Sequence, residues 1–172
     1  MEKIPFSQLN LSLKDDVKIV NINNVDVAVR QYIPAEEQLE ICANVLRNSA
    51  DDNNFVTPTK VEVFFSLELL YHFTNIDFVD DIDPVKLFDI LESNDVFNIV
   101  FNAIPEGLYK SLLDNTTETI ENYYKYQNSV LGIFERVNTD YKDLNFDADG
   151  IKEKLTTPGN LQLLKDVIDK LG

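Results

Sequence analysis

Residues 61–73, VEVFFSLELLYHF, are apolar or aromatic at so many consecutive positions that the rest of the chain has to fold around them. Val61, Val63, Phe65, Leu67, Leu69, Tyr71 and Phe73 alternate as in a strand, whereas Val63, Phe64, Leu67, Leu70 and Tyr71 recur at helical spacing. Length decides for the helix, because strands usually span about 5–6 residues. Thr57-Pro58 also supplies a capping hydroxyl followed by a proline at the first helical position. The pattern predicts a helix over 58–74. With Phe65, Leu69 and Phe73 on a second face, this helix is expected to be buried on at least two sides. The predicted fold is therefore mainly α, a helical bundle around a buried central helix, with an N-terminal β-hairpin and an extended N-terminal arm.

A chain of 172 residues with 44% hydrophobic content, seven Tyr and eleven Phe is large enough and apolar enough to bury one core. One domain over 17–172 is expected, preceded by an arm over 1–16. Thirty acidic residues against fifteen basic ones leave a net charge of −15, which argues against binding nucleic-acid phosphates or an anionic membrane surface. The single Cys42 has no internal disulfide partner and falls on the apolar side of a predicted helix with Leu39, Val45 and Leu46, a core position. The N-terminal residues lack a signal peptide's run of roughly 7–15 apolar residues, and no stretch reaches the ~18 of a membrane span.

In the arm, Ile4, Phe6, Leu9, Leu11 and Leu13 are spaced apolar residues with no helical stripe, and they are candidates for contact with a partner. VKIVNI (17–22) and VDVAVR (25–30) flank Asn23-Asn24, the signature of a tight hairpin over 17–30. Val25, Val27 and Val29 mark its buried face, with Asp26 and Arg30 outward. From Pro34 the spacing turns helical, with Glu36 and Glu37 in the first turn and Leu39, Cys42, Val45 and Leu46 as the buried stripe, ending near Ser49. Asp83-Pro84 starts a helix with Leu87, Phe88 and Leu91 inward, and residues 95–104 form a further short helix through Val96, Phe97, Val100 and Phe101. Pro105 opens a piece with Leu108 and Leu112 inward, which the cluster at 114–117 can break or recap. From Thr116 a seam of Ile120, Tyr123, Gln127, Val130, Phe134, Val137 and Tyr141 predicts one long helix. Residues 141–150 read as a loop and the remainder as a C-terminal helical pair with Leu161, Leu164, Val167, Ile168 and Leu171 inward.

Little in the chain points to catalysis. The lone His72 lies in the central apolar helix without a nucleophile beside it, and Cys42 belongs to another helix, so no catalytic residue is assigned. Five dispersed glycines form no phosphate-cradling loop, so no nucleotide cofactor is expected. Asn145, Asp147, Asp149 and Gly150 match the first half of a calcium loop, but Lys152 and Thr156 replace its apolar residue and closing glutamate, so no metal is expected. Asp77, Asp80, Asp81 and Asp83 form a cluster that could meet a cation or imitate nucleic-acid phosphates; the simpler reading is that Asp83 caps a helix and the others are solvated. Tyr123 belongs to the seam, which leaves Tyr124 and Tyr126 to face a protein partner.

The order of parts, a valine-rich hairpin followed by QYIPAEEQLEI, KVEVFFSLELLYHFTNIDF, KLFDILESNDV and IENYYKYQNSVLGIF, resembles small acidic proteins encoded among the virion-assembly genes of tailed bacteriophages. The resemblance spans residues 25 to about 135 and rests on packing motifs, so it carries no catalytic residue. It implies a non-enzymatic morphogenesis protein, a tail assembly chaperone or related factor, working in the host cytoplasm during assembly. The implied partners are other phage proteins, namely the tape measure, capsid or connector proteins, or a second copy of the chain. Two alternatives stand beside it: a stoichiometric virion component, and an acidic inhibitor of a host nucleic-acid enzyme.

Overall fold

A computed structural model describes residues 3–51, 54–78 and 82–133. The chain divides into two compact units, Met1–Ile120 and Glu121–Gly172, with the boundary inside a helix. The described residues are mainly helical, with a two-stranded antiparallel hairpin near the N-terminus. In order they form a 3-10 turn at Phe6–Leu9, β1 (Val17–Ile22), β2 (Val25–Arg30), α1 (Ala35–Ser49), α2 (Pro58–Phe73), α3 (Pro84–Ser93), α4 (Val96–Phe101) and α5 (Glu106–Gln127).

The hairpin forms for the reason its turn residues give. Asn23 and Asn24 hold φ of 50° and 66°, the left-handed pair that a two-residue turn needs to match strand twist. The register sets Val17 opposite Arg30 and Ile22 opposite Val25. Val27 and Val29 are buried, and Val20 and Ile22 pack beside them against the core. Val25 is exposed, contrary to the valine pattern, because it sits at the turn end of the strand beyond the last buried position. The far edge of β2 is stitched to the chain leaving α2: Thr74 bridges Val29, and the Ala28 amide donates to Asn75 Oδ1 at 2.9 Å.

The core is built on α2. Val63, Phe65, Leu67, Leu69, Leu70 and Phe73 are buried, and α2 packs on α1, α3 and α4. Burial on more than one side is what so apolar a helix requires, while Glu62 and Tyr71 remain exposed. Thr57 does occupy the capping position and Pro58 the first turn, but the Thr57 side chain makes no capping hydrogen bond, so proline geometry rather than the hydroxyl begins the helix. α1 runs antiparallel to α2: Glu37 meets His72 at one end, and at the other the Thr57 amide donates to the Ser49 carbonyl at 3.2 Å. The buried stripe of α1 is Ile41, Cys42, Val45 and Ser49, with Leu46 half-buried, while Leu39, expected inside, points to solvent. Ile41, Val45 and Ser49 repeat every four residues, a row that excludes position 39.

Asp83 caps α3 as the sequence predicts, its Oδ1 accepting from the Val85 and Lys86 amides at 3.1 Å each. α4 is shorter than expected, ending at Phe101, and Asp95 before it adopts a left-handed φ of 60°. α5 differs more. It runs unbroken through 114–117, because the hydroxyls of Thr117 and Thr119 donate back to the Leu113 and Asn115 carbonyls instead of capping a new start. It then ends at Gln127 rather than continuing along the seam. Ser129 Oγ accepts from the Gly132 amide at 3.1 Å, so the serine caps a new turn where the long helix was expected to go on. Phe134, Val137 and Tyr141 of that seam, the loop at 141–150 with its calcium-like half, and the C-terminal pair lie outside the described residues.

Candidate functional site

The first unit carries a groove of about 400 Å³ whose lining comes from α2, α3, α4 and α5. Its distinguishing feature is a continuous run of rings. Phe88 of α3 stacks on Phe97 of α4 at 5.0 Å between centroids, Phe97 on Phe101 at 5.5 Å, Phe101 on Tyr109 of α5 at 5.6 Å, and Tyr109 meets Phe65 of α2 edge-on at 6.1 Å. Such offset and edge contacts are the favoured arrangements of aromatic rings. The spacing of Phe97 and Phe101, four residues apart on one short helix, puts both on the same side. Glu62, Glu92, Leu113 and Thr117 stand exposed at the edge, so an apolar floor is framed partly by carboxylates. At the α5 wall, Thr116 is buried and its Oγ1 lies 3.4 Å from Cys42 Sγ, which gives Cys42 its packing role.

The C-terminal half of α2 carries a different arrangement, a charged network shared with β2 and α1. Arg30 grips Glu37 with both guanidinium arms, Nη1 to Oε2 at 2.7 Å and Nη2 to Oε1 at 3.0 Å, and Nη1 also donates to the His72 carbonyl at 3.1 Å. Arg30 was expected to face outward and is instead held against α1 by this bidentate pair. His72 lies between two carboxylates, Nδ1 3.3 Å from Glu37 Oε2 and Nε2 3.5 Å from Glu68 Oε2. The buried Glu68 also accepts from Asn44 Nδ2 at 3.1 Å.

These contacts move the titrations in consistent directions. The hydrogen bond to Glu68 is the main cause holding His72 above its ordinary value; burial opposes it and Glu37 adds to it. The Arg30 hydrogen bond holds the Glu37 carboxyl below its ordinary value, against the opposing effect of burial and with help from His72. Glu37 in turn raises Arg30, and burial followed by the Glu68 charge raises Tyr71. Among the described residues no group of three or more His, Cys, Asp or Glu could hold a metal ion. A bidentate guanidinium already occupies the Glu37 oxygens that such a site would need.

The partner-contact residues expected from sequence are scattered. Ile4, Phe6, Leu9, Leu11 and Leu13 are each more than half exposed. The arm is not extended throughout, since Phe6–Leu9 form a 3-10 turn closed by left-handed Asn10. Asp77 is exposed, and Asp80 and Asp81 lie outside the described residues. In the second unit Tyr126 is exposed and Tyr124 half-buried, its ring 6.1 Å from that of Tyr123. Within the first unit, neither the arm residues nor Asp77 line the groove. The ring ladder and its glutamate edge were not read from the sequence; the pairing of Phe97 with Phe101, and of Glu68 with His72, each four residues apart, was the available signal.

The fold and groove thus define a mainly helical protein with a hairpin at its N-terminal end. No family model, curated protein or solved structure matches the chain.

Proposed function

We propose that this protein works by holding another protein rather than by turning over a substrate, and that its working surface is the aromatic groove. The observation that supports this best is the unbroken ladder from Phe88 to Phe65, which carries apolar surface to an edge where Glu62 and Glu92 are exposed. In this reading α2 is the central helix of a bundle whose α3 to α5 side is left partly open. The walls are helices, whose backbone groups are already paired, so an extended peptide would find few main-chain partners there. A helical guest satisfies its own backbone and can present apolar residues to the rings, with lysines or arginines toward Glu62 and Glu92. The network at His72 favours a non-catalytic reading as well, since the one imidazole in the chain is engaged by two carboxylates of its own fold.

The resemblance to phage virion-assembly proteins supplies the setting: a tail assembly chaperone or related factor that holds the tape measure protein in the host cytoplasm before polymerisation. Among the described residues no helix is long and apolar enough to cross a membrane, which is compatible with that setting. The test is co-purification with the tape measure protein, compared between the native chain and Glu62→Lys/Glu92→Lys. The double variant is expected to weaken the complex by about tenfold at low salt, as edge charges do. A complex insensitive to the reversal, or no complex at all, would count against the reading.

A second reading, a stoichiometric virion component, is favoured by the exposed apolar residues of the arm, Ile4, Phe6, Leu9, Leu11 and Leu13. A protein inventory of purified virions separates the two, since a released chaperone is missing and a component is present in many copies. In the second case deletion of residues 1–14 is expected to leave folding intact and abolish incorporation.

A further inference from the structure

The two nitrogens of His72 face carboxylates on two different helices, Glu37 of α1 through Nδ1 and Glu68 of α2 through Nε2. A neutral imidazole has one N–H and one lone pair, so it can donate to only one of them and turns its lone pair on the other. Only the doubly protonated ring can donate toward both carboxylates at once. We propose that His72 is a proton-operated tie between α1 and α2: protonated, it bridges Glu37 and Glu68, and on losing its proton it lets α1 loosen from α2.

The surrounding charges decide where the tie gives way. Among the described residues the groups facing His72 are Glu37 from α1, Glu68 from its own helix and the Arg30 guanidinium from β2, which bonds the His72 carbonyl. Tyr71 is adjacent on α2 and feels the Glu68 charge. When the ring becomes neutral, Glu37 keeps its bidentate Arg30, so the hairpin stays attached to α1. Glu68 is left in a buried position with the Asn44 amide and a weakened imidazole contact. A buried carboxylate short of donors is costly and is relieved by admitting water, which means parting α1 from α2 near Asn44. Burial of the ring works against its charge, but the Glu68 hydrogen bond outweighs it, so the proton is held above the ordinary histidine value.

His72 is the only histidine in the chain, so its ring signals in the nuclear magnetic resonance spectrum of the full-length protein are unambiguous. We expect them to titrate with a midpoint above about 6.5, and the midpoint to fall in Glu68→Gln. As pH rises through that midpoint, protection of α1 amides, corrected for intrinsic exchange, is expected to drop, because the closed form binds the proton more tightly than the open one. In His72→Gln the same protection should stay flat with pH. A midpoint at or below the ordinary value would overturn the proposal, as would a drop that persists in His72→Gln. Should His72→Gln not fold, Glu68→Gln carries the same test, because an unmoved midpoint there is equally fatal.

Discussion

Glu62 and Glu68 stand six residues apart on α2 and meet opposite surroundings. Glu62 is exposed at the edge of a groove floored by aromatic rings, whereas Glu68 is buried and engaged by Asn44 and His72. The C-terminal half of the helix thus turns its charges inward and satisfies them with partners from α1 and β2. The N-terminal half leaves apolar rings near the surface and its charge facing out. The contrast teaches where to look for function: a network that consumes its own polar groups holds the fold together, and a surface that leaves its groups uncommitted can meet a partner.

The largest effect should come from removing the middle of the ladder. Phe97 is buried and contacts both Phe88 and Phe101, so Phe97→Ala is expected to cost about 3–5 kcal/mol in urea unfolding. A loss under 1 kcal/mol, roughly the scale of a surface change, would mean that the ladder does not hold α3 and α4 in place. Next, Glu37→Gln should cost about 1–2 kcal/mol, less than a buried ion pair because both partners are partly exposed. The pH dependence of native stability should show both limbs of the network. Glu37 has a lowered folded value, so its contribution is lost as pH falls through that value. His72 has a raised one, so its contribution is present below about 6.5 and lost as pH rises through the raised value. Glu37→Gln removes this carboxylate's part of the acid limb and should make that limb shallower.

A smaller change of opposite sign is expected at the far end of α1. Ser49 is buried and its hydroxyl has no partner, so Ser49→Ala should raise stability by up to about 1 kcal/mol in the same assay. The smallest effect is at the groove edge. Glu62→Gln and Glu92→Gln should leave stability within about 0.5 kcal/mol, as exposed sites away from special features do. Larger losses there would erase the distinction between the two halves of α2.

Much of the architecture was legible because it depends on local chemistry. Asn23-Asn24 demands a hairpin turn, Thr57-Pro58 and Asp83-Pro84 begin helices, and the run from Val61 to Phe73 is too apolar to stay on the surface. What escaped depends on residues distant in the chain. Arg30 pointed outward in the alternation of its strand until Glu37 on another element captured it. Leu39 looked like a core residue because it is apolar and in phase with Cys42, and only the packing of α1 on α2 selects the row through Ile41 instead. The long seam past Gln127 was broken by a single hydroxyl, since Ser129 finds the Gly132 amide to cap. Gly132 is also placed so that an added Cβ would collide with the Tyr126 carbonyl, a constraint invisible in periodicity. The ladder shares that origin, since Phe65, Phe88, Phe97, Phe101 and Tyr109 come from four helices and meet only in three dimensions.

The most direct test of the groove as the working surface is to titrate the full-length protein with a synthetic amphipathic helix bearing one apolar face flanked by lysines, following ring and amide resonances. Shifts should concentrate at Phe65, Phe88, Phe101, Tyr109 and Leu113, need about tenfold more helix in Glu62→Lys/Glu92→Lys at low salt, and spare Arg30, Glu37 and His72. Shifts centred on the arm or the hairpin, or none at millimolar helix, would contradict the account.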